Sequence, residues 1–308
     1  MFLFTGATHF TSMKHHFAAM IPPLFTGQLW VIYLTAAALA CADEAIPGIA
    51  TPPNPVWVQT WSDEFDGASG APIDTAKWRH DTGDGCGEGI CGWGNGERQY
   101  YTDDAENIAL NGQGQLMIVA RQATAGATCY YGQCLYTSAK ITTRGKMSAA
   151  PGRVEARIKL PSGQGLWSGF WMLGQGHPGV PWPLCGELDV MENKGSEPGT
   201  TSSAVHGPGY SGKTPFAHSH NLTRNNTPED FHIFAVEWDS VHVRFLVDGT
   251  AHYGITRAAM EKFGAPILDQ SYYLILNLAV GGTFDGDPQS AAIFPATMLV
   301  DYVRAYGR

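Results

Sequence analysis

The chain has 308 residues, of which 44% are hydrophobic and only 15% charged, and its formal net charge is −9. Plentiful aromatic and sparse charged side chains exclude an intrinsically disordered chain, and the lack of any Lys/Arg run argues against a nucleic-acid or anionic-membrane partner. Because 37 glycines accompany 12 tyrosines and 9 tryptophans, the composition favours an all-β protein that binds a neutral or weakly charged substrate.

The first 42 residues have the pattern of an export signal. Charged residues at 13–16 precede an apolar run at 29–42, which ends in small residues of the A-x-A type. The run is short for a membrane span, and a signal-anchor is the alternative. Cys41 follows Ala-Leu-Ala, as at a bacterial lipoprotein acylation site. We therefore predict a signal peptide or lipoprotein signal over 1–42, a secreted or cell-envelope location, and membrane attachment only through a lipid on Cys41.

The region after this signal is predicted to be a linker followed by one domain. Residues 43–56 are rich in proline and lack periodicity, which is typical of a linker. From Trp57 onward the composition does not shift again, so residues 57–308 are predicted to form a single domain.

Four of the remaining cysteines form two pairs with the same spacing. Cys86 and Cys91, and Cys129 and Cys134, are each separated by four residues in loops rich in glycine and tyrosine. In an oxidising compartment this spacing favours two local disulfides. A four-cysteine metal site is the alternative, but its usual gap is shorter. Cys185 is left alone and is predicted to be a small buried residue rather than a nucleophile.

The domain is predicted to consist of strands joined by turns. Alternation of apolar and polar side chains, or a continuous apolar run, indicates each strand, and only residues 256–263 have a helical pattern. So many short strands predict an antiparallel β-sandwich or jelly roll with a concave cleft. The predicted strands cover 115–122, 152–161, 232–238, 241–247, 272–280 and 298–306.

Three carboxylates stand close together in GELDVMEN, residues 186–193. Alternation along a strand places Glu187 and Asp189 on one face, but Glu192 has the opposite parity. A β-bulge at residues 190–191 would turn all three to the same face, and bulges are frequent beside active sites. Three crowded like charges are costly, so we predict a functional cluster. A solvated edge strand is the alternative.

Tryptophans surround this cluster in the sequence. Trp167 and Trp171 are four residues apart and share one strand face, and Trp182 lies just before the acids. Sugar rings present apolar C–H faces that stack on aromatic rings. The grouping of tryptophans and carboxylates therefore indicates a carbohydrate-binding cleft.

Several motifs, in order, resemble glycoside hydrolase family 16. They are WGNGERQYYTDDAEN (93–107), LPSGQGLW and FWMLG (160–174), ELDVME (187–192), HGPGYSG (206–212) and FPATMLVDYVRAY (294–306). The acid motif with its extra Met resembles the laminarinase-type endo-β-1,3-glucanases, since lichenases have a motif one residue shorter. Many relatives read Pro-Ala where this chain has Ser168-Gly169.

The resemblance implies a retaining, double-displacement mechanism on a jelly roll spanning residues 57–308. It implies that Glu187 is the nucleophile, that Glu192 is the general acid and then the base, and that Asp189 orients Glu187. The expected partner is a β-1,3-glucan of the laminarin type, hydrolysed internally by a monomer with no cofactor for catalysis. The alternatives are a mixed-linkage β-1,3-1,4-glucanase, a transglycosylase, or a non-catalytic glucan-binding module.

The same resemblance implies further site residues. Trp167, Trp171 and Trp182 are expected to bind substrate, together with a second set of polar side chains. That set is His206, Asn95, Glu97, Arg98 and Arg144.

Relatives also suggest a structural calcium ion on the side away from the cleft. The matching ligands are the Glu64 carboxylate, the Gly114 backbone carbonyl and the Asp301 carboxylate. Oxygen ligands from separate segments suit a hard cation, and water would have to complete its coordination.

Overall fold

A computed structural model describes residues 56–124, 126–222, 230–290 and 293–308. The predicted signal at 1–42, with Cys41, and all but the last residue of the predicted linker lie outside the described residues.

The described residues contain nineteen strands and one short α-helix, α1, at Arg257–Met260. Two 3-10 turns, Cys86–Glu88 and Cys91–Gly94, lie in the first cysteine loop. The strands are β1 (Val58–Asp63), β2 (Arg79–His80), β3 (Gln99–Tyr101), β4 (Ile108–Leu110), β5 (Leu116–Gln122), β6 (Thr128–Cys129), β7 (Gly132–Gln133), β8 (Tyr136–Ser138), β9 (Lys140–Thr142), β10 (Arg153–Lys159), β11 (Leu166–Gly174), β12 (Glu187–Lys194), β13 (Thr200–His206), β14 (Phe216–Asn221), β15 (Phe231–Trp238), β16 (His242–Val247), β17 (Thr250–Thr256), β18 (Tyr272–Val280) and β19 (Ala296–Gly307).

Two large sheets carry most of these strands. The first has ten strands, in the order β17-β16-β15-β10-β19-β5-β8-β3, with β1 paired to β19 and β4 to β5. The second has seven, in the order β14-β13-β12-β11-β18-β9-β2, and β6 and β7 form a separate hairpin. All pairs are antiparallel except β3 with β8. The prediction of an antiparallel β-sandwich is confirmed, with that one parallel pair as an exception.

The sheets bury one common core because each presents alternate side chains to the other. Val154, Ala156 and Ile158 from β10 meet Leu274 and other alternate residues of β18 in that core. Every residue of β18 is buried, since its other face lies under a second, smaller apolar cluster. An apolar run without polar alternation is what a strand covered on both faces requires.

Other predicted elements are also present. The helical pattern at 256–263 corresponds to α1, where the Thr256 side chain caps the helix by accepting from the Ala259 N–H. The pairs Cys86–Cys91 and Cys129–Cys134 are disulfides, as predicted. Within the described ranges, no helix has the length and apolar character needed to span a bilayer.

Candidate active site

The three carboxylates singled out in the sequence lie on β12, which is interrupted by a β-bulge. Asp189 and Met191 pair with consecutive residues of β11, which leaves Val190 as the extra residue. The register toward β13 also shifts between Asp189 and Glu192. Because a bulge changes the face of the side chains beyond it, Glu187, Asp189 and Glu192 all line one cleft, about 450 Å³ in volume.

His206, on the neighbouring strand, is directed at two of these carboxylates. It pairs with Glu187 across β12 and β13. The Gly212 backbone N–H donates to His206 Nδ1 at 3.2 Å, so the ring proton is on Nε2. That nitrogen lies 3.1 Å from Asp189 Oδ2 and 3.9 Å from Glu187 Oε1. His206 Nε2 therefore faces the acid pair.

Glu192 is held by an aromatic wall on the other side of the cluster. Trp167 Nε1 donates to Glu192 Oε1 at 3.1 Å. The Trp167 ring lies 4.9 Å from that of Phe284, which also lines the cleft. Trp182 lines the same cleft near Glu187, at the other end of the carboxylate row. Its ring is 6.0 Å from that of His206. Both ends of the carboxylate row are thus flanked by aromatic rings.

Burial raises the pKa of all three carboxyls. For Glu187 and Glu192 the negative charge of Asp189 adds to the effect of burial, and burial alone raises the pKa of Asp189. The two indoles act in the opposite direction: Trp182 lowers the pKa of Glu187, and Trp167 lowers that of Glu192. Three neighbouring carboxyls in this environment cannot all ionise readily, so the cluster retains a proton near neutral pH. One carboxyl can then donate a proton while another is an anion.

The floor of the cleft contains a further buried acid, Glu97. It is only 5% exposed, and it accepts hydrogen bonds from Asn95 at 3.2 Å, Gln99 at 2.6 Å and Tyr101 at 3.3 Å. Asn95 itself lines the cleft. Glu97 therefore orients Asn95 from beneath, and a direct contact of Glu97 with substrate stays a prediction.

Trp171 lies beside the cluster and is fixed by Asn277. Its Nε1 donates to Asn277 Oδ1 at 2.7 Å, and Asn277 Nδ2 donates to the Tyr101 hydroxyl at 3.0 Å. A Cβ at Gly169 would lie 2.6 Å from Asn277 Oδ1. The glycine at this position, where many relatives carry alanine, therefore leaves space for the Trp171–Asn277 hydrogen bond.

Two predicted substrate-binding arginines do not line this cleft. Arg98 makes a bidentate pair with Asp287, at 3.0 and 3.1 Å, and lies 5.2 Å from the ring of Tyr131. Arg144 contacts Asp81 at 3.3 Å and lines a separate hollow of about 820 Å³. A carboxylate from a distant loop holds the Arg98 guanidinium, and a role of either arginine in substrate binding stays a prediction.

Comparison with known proteins identifies the family. The family described as "Glycosyl hydrolases family 16" matches residues 93–303.

The chain belongs to glycoside hydrolase family 16.

Relatives and solved structures within this family are similar over most of the chain. A glucan endo-1,3-beta-glucosidase A1 from Niallia circulans is 36% identical over 86% of the chain, and the chain spans 40% of its length. A beta-glucanase from Rhodothermus marinus is 39% identical over 82% of the chain and 86% of its own length. The structure of an endo-beta-1,3-glucanase from Pyrococcus furiosus has a TM-score of 0.76 at 43% identity, covering 82% of this chain and 94% of that one.

Family membership accounts for the arrangement on β12. Glycoside hydrolases act through a pair of carboxyl groups, and the bulge at Val190 brings the carboxyls of β12 to one face. The laminarinase-type motif, with its extra residue, therefore corresponds to a structural feature of this strand.

Both carboxylates predicted to bind calcium have an arginine partner. Arg304 donates to both carboxylate oxygens of Glu64, at 3.0 and 2.8 Å, and Arg157 donates to Asp301 at 2.7 Å. Gly114 lies beside the Glu64 backbone carbonyl. The oxygen ligands fit a hard cation in type, but both carboxylates would have to exchange a guanidinium for it. Calcium stays a prediction.

Some residues of this family 16 site were missed from the sequence. Phe284 follows β18 in a loop without a recognisable motif. Asn277, in contrast, had a signal, since it is a single amide in the apolar run of β18. Lys140 is a buried cation, 3.9 Å from the Trp93 ring and 5.2 Å from that of Trp171. The sequence pattern around Lys140 does not reveal that it lies between these two indole rings.

Cys185 is not a nucleophile of this site. It is 1% exposed, and burial raises the pKa of its thiol to about 11. The thiolate is therefore scarce at neutral pH, in agreement with the predicted structural role.

Proposed function

We propose that this chain is an endo-acting β-1,3-glucanase that hydrolyses laminarin-like glucans with retention. One observation carries the proposal: a single bulged strand presents three carboxylates, Asp189 buried and Glu187 and Glu192 partly buried, to an aromatic-lined cleft. The names of the similar proteins, which include endo-1,3-beta-glucosidase and endo-beta-1,3-glucanase, support a β-1,3-glucan as substrate.

The proposed mechanism assigns a different task to each acid. Glu187 attacks the anomeric carbon while Glu192 protonates the departing glycosidic oxygen, which yields a glycosyl-enzyme. Glu192 then removes a proton from water, and the hydroxide oxygen displaces Glu187. A carboxylate oxygen of Asp189 lies within 4.8 Å of one of Glu187, and His206 Nε2 lies 3.1 Å from Asp189 Oδ2. These two contacts stabilise Glu187 as it gains and loses charge.

Substrate choice is tested by reducing-sugar release from laminarin, lichenan, agarose and carrageenan. We expect the fastest release from laminarin, with oligosaccharides of several lengths from the first minutes. Faster release from lichenan would instead indicate a mixed-linkage enzyme, and cleavage of a galactan would contradict the glucanase assignment. Binding of laminarin without any release would indicate a glucan-binding module.

The roles of the two glutamates are tested with two variants. Glu192→Ala is expected to lose about 10²–10⁴-fold on laminarin, but much less on an aryl β-glucoside of laminaribiose whose phenol leaves without protonation. Glu187→Ala is expected to lose both activities, and added azide should restore turnover with an α-glycosyl azide as product. The exposed Glu261→Gln serves as a matched control with unchanged activity. The reverse pattern between the two variants would contradict the assignment.

We also propose that the chain is exported and acts in the cell envelope or outside the cell. The apolar run before Cys41 supports this proposal. The intact mass of the exported protein is the test, since it gives the first mature residue and any lipid on Cys41. A mature chain that keeps residues 13–42 would contradict cleavage.

A further inference from the structure

Three histidines meet at one edge of the sandwich, outside the glucanase site. His218 and His220 lie on β14, the edge strand of the seven-stranded sheet, and His252 lies on β17, the edge strand of the other sheet. The ring centroids of His220 and His252 are 4.9 Å apart, and those of His218 and His252 are 5.9 Å apart.

The two histidines of β14 face away from the cleft. Ala217 and Ser219 of the same strand line the cleft, and side chains alternate along a strand. His218 and His220 therefore share the opposite face, turned toward β17. Two histidines at positions i and i+2 of one strand, with a third on a facing strand, can converge on one point.

A bulge aims the third histidine at this point. Phe245 of β16 pairs with Tyr253, whereas the next residue, Leu246, pairs with Ala251. His252 is therefore the extra residue of a bulge in β17. Bulges redirect side chains and are often designed features, and here the bulge lets both His252 and Tyr253 approach β14. Indeed, the Tyr253 and His218 rings stack at 5.3 Å.

The hydrogen bonds of His252 leave one ring nitrogen free to bind a ligand. Ser203 Oγ donates to the Val190 carbonyl at 2.8 Å, so its only proton is already used. His252 Nε2, 3.2 Å from Ser203 Oγ, must then be the donor in that contact. Nδ1 therefore carries a lone pair, and it is buried with no hydrogen-bond partner among the described residues. An N–H bonded to an oxygen opposite a free nitrogen is the usual arrangement of a metal-ligating histidine.

We propose that His218, His220 and His252 bind a divalent transition metal of the zinc type. Two imidazoles on a tetrahedral zinc, with a Zn–N distance near 2 Å, have ring centroids about 5 Å apart, which is close to the spacings observed here. Water supplies the fourth ligand. Burial lowers the pKa of His220 and His252, which keeps both imidazoles in the neutral form that binds metals.

The rings must turn to complete this site. Among the described residues, the potential metal ligands whose ligating atoms already lie within 4.8 Å of one another are Glu187, Asp189 and His206. The ligating atoms of the edge histidines are not yet that close. His252 keeps its Ser203 contact, and His218 and His220 reach the ion by rotation about χ2, a torsion with a broad energy profile. A metal bound there would join the edge strands of the two sheets and stabilise the native state by mass action.

The test is a zinc titration of metal-free full-length protein by calorimetry, in a His206→Ala background that removes the catalytic cluster as a competing site. We expect one Zn²⁺ per chain and a rise in Tm with zinc. His220→Ala and His252→Ala should each weaken zinc binding at least tenfold. His242→Ala, which changes a strand histidine paired with Asp239 elsewhere, is the matched control and should bind normally. Co²⁺ should give the visible absorption of a tetrahedral site.

Three results would overturn the proposal. These are no zinc binding, binding that survives in both the His220→Ala and His252→Ala variants, and binding seen only when His206 is present. Laminarin hydrolysis by His220→Ala and His252→Ala in the otherwise unchanged chain shows that each variant is folded. If either alanine variant fails to fold, His220→Gln and His252→Gln replace it, since glutamine keeps the side-chain volume but binds zinc poorly.

Discussion

Burial and the Asp189 charge raise the pKa of Glu192, and the Trp167 indole lowers it. Its N–H donates to Glu192 and favours the ionised carboxylate. Since the proposed general acid must be protonated, kcat/KM falls as the pH rises through the pKa of Glu192. Trp167→Phe removes the donor but keeps an aromatic face, so the pKa of Glu192 should rise further. We expect the alkaline limb of the pH profile on laminarin to move to higher pH, by up to about one unit.

Trp182→Phe provides the matched comparison, because the Trp182 indole lowers the pKa of Glu187 instead. The nucleophile must be ionised, and loss of this donor raises its pKa. The acidic limb, rather than the alkaline limb, should then move to higher pH. If both variants shift the same limb, the two glutamates do not have the separate roles proposed for them.

Burial of Glu187 should cost stability at neutral pH. Its pKa in the folded state is raised well above the ordinary value, so the folded protein disfavours the ionised form. This unfavourable contribution is absent below the unfolded-state pKa and grows as the pH rises toward the folded-state pKa. Glu187→Gln removes the charge, and we expect the variant to be more stable at pH 7–8 by about 1–3 kcal/mol and nearly equal to the wild type at pH 4.

Denaturant unfolding at several pH values measures this difference. The exposed Glu261→Gln is the control and should change the free energy of unfolding by less than about 0.5 kcal/mol. If the free energy of unfolding of Glu187→Gln does not rise relative to that of the wild type between pH 4 and pH 8, ionised Glu187 does not destabilise the folded protein.

At the scale of the strand, the bulge in β12 determines where Glu192 points. Deleting Met191 gives Glu-Leu-Asp-Val-Glu, a regular strand in which simple alternation keeps all three acids on one face. Inserting one alanine after Met191 turns Glu192 to the core instead. We expect the insertion to abolish laminarin hydrolysis, by more than about 10³-fold, and the deletion to retain measurable activity.

Both changes disturb the core, because Val190 and Met191 are buried. The deletion is expected to cost about 2–5 kcal/mol of stability, as for loss of a large core side chain. Circular dichroism and Tm therefore accompany the assays, so that activity is compared only between folded variants. Equal loss of activity in the folded deletion and insertion variants would contradict the parity argument.

The long strands could be predicted from the sequence, and the short ones could not. The apolar run of β18 and the alternation of β10 each extend over at least seven residues, so their periodicity is visible. β3 and β8 have three residues each, which is too few for a period. Their parallel pairing joins segments 37 positions apart in register, with Gln99 opposite Tyr136, and no local pattern specifies it.

For the whole molecule, the odd or even positions of the acids along the strand were enough to predict that they share one face. The rest of the site depends on contacts with residues that are distant in the sequence. The bulge followed from the positions of Glu187, Asp189 and Glu192 alone. Arg98, in contrast, shares a motif with Asn95 but turns away, because Asp287, 189 positions later, binds its guanidinium. No local pattern specifies a contact between segments so far apart in the sequence.

Calcium is the remaining prediction at this scale, since its ligands come from the two ends of the domain. Glu64 follows β1 and Asp301 lies on β19, the strand that pairs with β1. A bound ion would join these segments but must first replace Arg304 and Arg157 as carboxylate partners. We expect chelation to lower Tm by about 2–4 °C for each kcal/mol of stabilisation lost, with recovery on adding Ca²⁺ but not Mg²⁺.

The Glu64→Gln variant tests whether these residues are responsible for any effect of chelation. It weakens the proposed calcium site and also removes the ion pair with Arg304, so its Tm should be lower and should no longer respond to the chelator. Arg304→Gln is the informative comparison, because it frees the Glu64 carboxylate from its competitor and should strengthen the response to Ca²⁺. An unchanged wild-type Tm after chelation would mean that the arginines, rather than an ion, neutralise Glu64 and Asp301 in the folded protein.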